Sequence, residues 1–561
     1  MEKIITIGKS DDIIIKELGF DFVEMPNIST DEELSDFIEN RLSKIEFDAL
    51  IIPLYKEDAT IALRLGLHIR LTESLWQKRL ATLMFVSTET LATIARDSGI
   101  YGHILATKGC KFEQIRSIEM VKRAIYSIEP LLIDDFKRKF LNIIAIQPDE
   151  TVGRHSLANQ WGALALDKAA NTKSLKSDKE LQKAQKQLYF KYITALNFNY
   201  NSLKSPQKLL IDLSQFDKVD KINASNKRIL LIDDEADKGW ESVLRNIFKV
   251  SNPDDFVVIQ EKVKDYDSFL ETNKKIIQEG NFDLFLIDLR LNGIEEEEIN
   301  SPEEFSGTKV LQVIKKQNEG NQIIIFTASN KAWNMKKLLD LGADGYYIKE
   351  SPEYNFPFAF TKENYNNFKD EVQKALNLNF LREISNIHQN IYQSLNQTVF
   401  HNQAKASLEI AFELLKKSIV SPKYLNLAFL TYYQILEDYT SQSSNFDFRS
   451  KKECYVNGVA IVYEDNGQLI WKLKYNQDNL NGDFFSILDE IKQVEVSIQS
   501  LAKISFILAY KFRKDNIFLK KWGVLNNLRN TKAVHGGNKG YVTVNNLKEL
   551  LEIVKLFLTN Q

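Results

Sequence analysis

Cysteine is almost missing from this chain. Two occur in 561 residues, Cys110 and Cys454, and they form no Cys-x-x-Cys pair. That excludes a disulfide framework and a cysteine zinc site, and it suits a reducing cytoplasm, the expected location. No uninterrupted apolar run reaches the roughly 18 residues of a membrane span, so no membrane partner is expected. The opening "MEKIITIGKSDD" lacks a basic stretch followed by an apolar one, so no signal peptide is expected either. A dominant charge is also absent. The net charge of −3 creates no global field toward nucleic acid or membrane, although a local patch can still act.

The chain is too long for one core, and three or four domains are expected. Its 44% hydrophobic and 27% charged residues place it among ordinary globular proteins. Residues 1–150 alternate apolar runs with helical patterns. "KIITIG" (3–8), "FDALIIPL" (47–54), "TLMFVS" (82–87) and "GHILAT" (102–107) read as strands, and 31–44 and 117–128 as helices. Such alternation argues for a parallel sheet with crossover helices. Residues 151–227 read as a helical hairpin and linker, with "RHSLANQWGALALDKAA" and "DKELQKAQKQLYFKYITAL" on either side of a Ser/Lys-rich break.

Residues 228–378 alternate again, with strands at 228–233, 255–260, 283–288, 322–328 and 345–349, a complete doubly wound domain. From 379 to 561 the pattern is mainly helical. The exception is 455–475, two strand-like runs around Asp-Asn-Gly that read as a β-hairpin insertion. The fold class expected is therefore α/β plus all-α. "FDALIIPLY" aligns without gaps with "FDLFLIDLR", "LMFVS" with "IIIFT", and "YGHILA" with "DGYYIK". Residues 1–130 thus read as a second copy of the 228–378 fold.

In an open parallel sheet, ligands bind outside the carboxyl ends of the strands. In the later copy those ends carry Asp233 and Asp234, Asp288, Thr327 and Lys349. Three carboxylates in one crevice repel each other unless they hold a hard cation, and Mg²⁺ favours oxygen ligands. A carboxylate beside Mg²⁺ can attack a phosphoryl group and become an acyl phosphate, with a lysine and a hydroxyl steadying the phosphoryl oxygens. Asp288 is the expected acceptor.

The strings "LLIDDE", "FLIDLR", "IIIFTAS" and "GADGYYIKES" make residues 228–378 resemble the receiver domain of two-component response regulators. The resemblance implies Mg²⁺ on Asp233, Asp234, Asp288 and the backbone carbonyl of Arg290. It also implies Thr327 following the phosphoryl group, Lys349 pairing with it, Tyr346 as the switching aromatic, and a histidine kinase as partner. One departure is that Glu350 and Ser351 intervene between Lys349 and Pro352, where the family has proline directly. In the first copy Pro53 stands for the acceptor and Ala106 for the lysine, and only Ser87 survives. It reads as a pseudo-receiver kept for docking or dimerisation, in which Lys108 reaches toward a pocket with no acceptor.

"NNLRNTKAVHGG" (526–537) sets Arg529 six residues before His535, with glycines ending the helix. Histidine suits acid–base work near neutral pH and arginine suits phosphodiesters. The string resembles the R-x(4–6)-H motif of HEPN domains, helical bundles whose nucleases build a composite site across a homodimer and cut RNA without metal. The resemblance brings in Asn530, and Glu437 or Asp438 as the accompanying acid. Residues 403–561 hold 21 Lys/Arg against 16 Asp/Glu, with Lys511, Arg513, Lys514, Lys520 and Lys521 clustered before the motif as a candidate RNA-facing patch. Earlier, His155 and Asn159 lie at i and i+4, on one helical face. They resemble the phosphorylated helix of some histidine kinases, but no Gly-rich ATP lid follows. A relay or dimerisation helix and a locally bonded histidine both fit.

The whole reads as a phosphorelay response regulator with a HEPN-like output, either a ribonuclease in stress or phage (antiviral) defence or a non-catalytic adaptor or phosphate sink.

Overall fold

The structure is a computed structural model. It describes residues 3–559 apart from 10, 56–58, 76–77, 149–152, 198–220, 264, 293–298, 300, 329–331, 355, 442–446, 451–452, 457–458, 466–467, 472–502, 506 and 535–539. The chain divides into two compact units. One comprises Met1–Leu311 with Ile323–Val372, the other Gln312–Gln322 with Gln373–Gln561.

The first unit contains two parallel five-stranded sheets of the same order. In the earlier one, β1 (Ile4–Gly8), β2 (Asp21–Glu24), β3 (Ala49–Pro53), β4 (Thr82–Ser87) and β5 (Cys110–Gln114) run β2-β1-β3-β4-β5. The apolar strings become the central strands because helices cover both faces. Every residue of β1, β3 and β4 is buried, and each full burial of an Ile, Leu or Val is worth roughly 1.5–3 kcal/mol. Around them lie α1 (Ile13–Glu17), α2 (Asp31–Asn40), α3 (Ala59–Leu71), α4 (Leu91–Asp97) and α5 (Ile118–Tyr126). A capping box at Thr30 and Glu33 starts α2. One expected strand is corrected. "GHILAT" falls in a 3₁₀ helix, Gly99–Ala106, whose Thr107 hydroxyl bonds back to the Ile104 carbonyl, and the fifth strand comes later as "CKFEQ".

The hairpin follows as α6 (Arg154–Ala170), α7 (Lys179–Lys186) and α8 (Leu188–Asn197). The second helical pattern is therefore two helices, interrupted at Gln187, whose backbone is extended. The hairpin grips both sheets' helices: α8 packs on α3, and α6 packs on α9 (Trp240–Ile247). Lys191 of α8 donates to Ser35 Oγ at 2.7 Å, Thr72 Oγ1 at 3.0 Å and the His68 ring at 3.2 Å, all within the earlier domain.

In the later sheet, β6 (Ile222–Ala224) pairs apart with β8 (Phe248–Val250). The five main strands are β7 (Ile229–Ile232), β9 (Phe256–Ile259), β10 (Leu284–Asp288), β11 (Ile323–Thr327) and β12 (Gly345–Ile348), in the order β9-β7-β10-β11-β12. All five were expected from the sequence. The helices α10 (Tyr266–Glu279), α11 (Ser306–Gln317), α12 (Ala332–Asp340) and α13 (Phe358–Leu378) accompany them.

The second unit is mainly helical: α14 (Phe380–Tyr392), α15 (Val399–Lys416), α16 (Lys423–Thr440), α17 (Asn516–Leu528) and α18 (Val544–Thr559). Trp522, Tyr432, Phe557 and neighbouring leucines form its core. The expected hairpin is part of a larger antiparallel sheet, β13 (Asp447–Ser450), β14 (Glu453–Val456), β15 (Val459–Asp465) and β16 (Gln468–Trp471). Within this mainly helical stretch of sequence, residues 472–502 lie outside the described residues. No described helix is long and apolar enough to cross a membrane.

Candidate functional site

Strand register assembles the site. Ile232 pairs with Ile287, so the chain one step on sets Asp233 beside Asp288. Thr327 pairs with Ile348, and the Lys349 amide donates to the Thr327 carbonyl at 2.7 Å, which fixes Lys349 at the mouth of the sheet. Its ammonium donates to Asp288 Oδ2 at 2.7 Å, Asp233 Oδ2 at 2.9 Å and Asn159 Oδ1 at 2.6 Å, and it lies 5.1 Å from the centre of the Trp240 ring. Asp233 Oδ1 accepts from the Glu235 amide at 2.9 Å. Asp233, Asp288, Thr327 and Lys349 are each at most 2% exposed, and Asp234 is 6% exposed. Gly307 is needed behind the acceptor, because a Cβ there would come within 2.0 Å of the Asp288 carbonyl oxygen.

The five expected residues are therefore gathered in one crevice. Tyr346 is half-buried on β12. The fully buried aromatic is its neighbour Tyr347, packed against Trp240, Phe326 and Phe368. The Arg290 amide lies 3.5 Å from Asp288 Oδ1, and its guanidinium stacks over Phe305.

Sequence reasoning missed the destination of α6. His155 Nε2 stands 3.6 Å from Asp234 Oδ1, 3.9 Å from Glu235 Oε2 and 4.0 Å from Asp288 Oδ2. Asn159, one turn on, contacts the His155 ring at 3.1 Å, donates to Glu235 Oε2 at 2.7 Å and accepts from Trp240 Nε1 at 3.0 Å. Ser156 donates to the other Glu235 oxygen. The i, i+4 spacing showed a shared face, but nothing local to the sequence showed what that face covers.

Burial pushes the Asp288 carboxyl up from its ordinary value. Lys349 opposes this, Asp233 adds to it, and His155 opposes it. Burial alone would lower His155, but Asp234, Asp288 and Glu235 outweigh it and raise the imidazole. Asp234 Oδ1 is buried with no hydrogen bond, and the His155 imidazole 3.6 Å away faces it. Converging carboxylate oxygens, one of them without a hydrogen bond, suit a hard divalent cation. His155, Asp234 and Asp288 each offer one donor atom within 4.8 Å of the others.

The earlier sheet has the same frame without the chemistry. Leu54 donates to the Val86 carbonyl as Leu289 does to that of Phe326, so Pro53 occupies the Asp288 position. Registry puts Gly8 and Lys9 where Asp233 and Asp234 stand. The lysine position is corrected. The Ile115 amide donates to the Ser87 carbonyl as Lys349 does to Thr327, so Ile115, not Ala106, replaces the lysine. Lys108 pairs with Asp135 at 3.3 Å and Glu129 at 3.4 Å. A cavity of about 220 Å³ lined by Gly8, Lys9, Met25, Asn27, Pro53 and Tyr55 opens at this sheet's mouth.

In the second unit, Arg529 donates to Glu437 at 3.3 Å and to Asn530 at 3.0 Å, and it lies over the Tyr433 ring at 5.0 Å. Asp438 instead accepts from Gln434 at 2.8 Å, so Glu437 alone of the two acids meets the arginine. His535 lies outside the described residues. Arg513, Lys520 and Lys521 are exposed and Lys514 is half-buried, while Lys511 donates to the Tyr439 hydroxyl at 2.7 Å.

These geometries meet the comparisons with known proteins at one point. Residues 1–113 match the inactive receiver domain family. The matched segment holds Pro53 at the acceptor position, and Ile115, at the lysine position, lies two residues past it. No curated protein matches the chain. A crystal structure described as that of a candidate two-component system response regulator/GGDEF domain protein shares 11% identity, with 65% of this chain and 98% of that chain covered at a TM-score of 0.15, too low to bear on fold or function.

Proposed function

We propose that the chain is a two-component signalling regulator in which Asp288 accepts a phosphoryl group from a partner histidine kinase. The observation that carries this is the buried Lys349 ammonium shared by Asp233 and Asp288. A buried charge cluster of this kind is a weak source of stability, which points to chemistry as its purpose. Asp233, Asp234 and Asp288, with the Arg290 carbonyl, would hold Mg²⁺, and the buried Asp234 Oδ1, which accepts no hydrogen bond, supports that fit. The cation lowers the charge cost of bringing a phosphoryl dianion to a carboxylate. Asp288 supplies the attacking oxygen, Lys349 neutralises the phosphoryl oxygens, and Thr327 donates to one of them. Tyr346 then carries the change to the sheet's edge. Incubation with acetyl phosphate and Mg²⁺, read by intact mass, tests the reading. One added phosphate that is lost in Asp288→Asn supports it, and no added phosphate in the wild type refutes it.

The second unit is the output. In one form it is a HEPN-like, metal-independent ribonuclease of stress or phage defence, acting as a homodimer through Arg529, Asn530 and His535, with Lys511, Arg513, Lys514, Lys520 and Lys521 meeting RNA. In the other it is a non-catalytic module for dimerisation or partner binding, and the regulator is an adaptor or phosphate sink. Arg529 pairs with Glu437, the acid that accompanies the motif in the first form. RNA cleavage by the wild type, lost in His535→Ala, selects the first form, and no cleavage by the wild type selects the second.

A further inference from the structure

We propose that His155 and Asp288 form a phosphoryl relay within one chain, a reading that rests on Asp288 being an acceptor. His155 faces three acids without hydrogen-bonding any of them, while its Nε2 accepts from Asn159 Nδ2 at 3.1 Å, which leaves the ring proton on Nδ1. Its Nε2 stands 3.6, 3.9 and 4.0 Å from oxygens of Asp234, Glu235 and Asp288. All three exceed the roughly 2.7–3.2 Å of a hydrogen bond. An imidazole nitrogen and a carboxylate oxygen 4.0 Å apart leave the gap that a phosphorus atom occupies in a loose in-line transfer, with partial bonds to both sides.

The surroundings fit the same step. Asn159 steadies the ring and also binds the Lys349 ammonium, so one side chain ties the nucleophile to the group that neutralises the transferred oxygens. α6 is held on α9 by a close fit, for a Cβ on Gly162 would come within 3.0 Å of the Trp240 ring. Proximity of this kind replaces a collision between molecules by a unimolecular step.

The step balances. Phosphoryl enters from a phosphoramidate donor, such as a partner's phosphohistidine, onto His155, or from an acyl phosphate onto Asp288. In the forward transfer the Nε2–P bond breaks and an O–P bond to Asp288 forms. The imidazole leaves as a neutral ring that keeps its Nδ1 proton. In reverse, Nε2 attacks phosphorus and Asp288 leaves as the carboxylate. No oxidant or further reactant is required.

The test uses the full chain with Mg²⁺ and acetyl phosphate as donor. Phosphohistidine survives alkali and acyl phosphate is cleaved by hydroxylamine, so the two linkages are read separately. The wild type is expected to carry both. His155→Gln keeps the hydroxylamine-labile phosphate and loses the alkali-stable one to background, and Asp288→Asn loses both. A wild type with acyl phosphate on Asp288 and no alkali-stable phosphate on His155 overturns the relay while leaving the acceptor reading intact. Alkali-stable phosphate in Asp288→Asn, or in a mixture of the two variants, overturns transfer within one chain. A wild type that takes no phosphate overturns both readings.

Discussion

The two sheets of the first unit share strand order and strand-end hydrogen bonds, yet one ends in Gly8, Lys9, Pro53 and Ile115 and the other in Asp233, Asp234, Asp288 and Lys349. The earlier sheet still buries its central strands completely. The fold therefore does not need the charged crevice. The later sheet bears desolvated acids, and the earlier sheet shows the same frame without them. The buried cations differ in the same sense. Lys349 faces two carboxylates, whereas Lys191, against the earlier domain, is held by two hydroxyls and a ring nitrogen.

The sharpest break in the comparison is to exchange acceptors. Asp288→Asn should abolish acetyl phosphate labelling. Pro53→Asp should install none, because Gly8 and Lys9 supply no metal ligand where Asp233 and Asp234 stand and Ile115 supplies no ammonium where Lys349 stands; labelling at position 53 would refute the assignment of Gly8, Lys9 and Ile115. Next in size, Lys349→Met should destabilise the later domain by about 3–5 kcal/mol, the cost of leaving buried charges unpaired. Millimolar Mg²⁺ should restore part of that in a urea titration, and an absence of rescue would count against the cation site.

The third contrast is the sign of the pH response. Burial lowers His68 from 6.5 to about 4, so the earlier domain favours the neutral ring, and its stability is lost as pH falls from 6.5 toward 4. Burial raises Glu350 from 4.5 to about 7, so the later domain favours the protonated acid and loses stability as pH rises from 4.5 to 7. Amide exchange in β3 and β10, corrected for intrinsic rates, should show opposite slopes. His68→Gln flattens the first slope and Glu350→Gln the second. The smallest effects belong to helix caps. Thr30→Ala should cost about 1 kcal/mol in urea melts, while Asp265→Asn, which keeps a capping oxygen for the Ser268 amide, should change little.

Much of this was readable beforehand because buried parallel strands are near-continuous apolar strings and their chemistry sits one residue past the last apolar position. Asp233, Asp288, Thr327 and Lys349 follow that rule, and Asp234 adjoins Asp233. β2 was missed because Asp21–Glu24 is a short, half-exposed strand with acids at both ends. β5 was misplaced because "GHILAT" is more apolar than "CKFEQ", although the latter makes the ladder. Arg529 and Glu437 were each named, and their pairing is a tertiary fact. So is the seating of His155 over Asp288, which joins segments far apart in sequence.

One consequence follows from Asp288 being 2% exposed beneath α6. A donor larger than a hydrated ion that met Asp288 directly, rather than through His155, would need α6 displaced, and its labelling rate would be scaled by the displaced fraction. On the proposed reading, whatever loosens α6 would set how quickly direct labelling proceeds, with no change to the residues that carry it out.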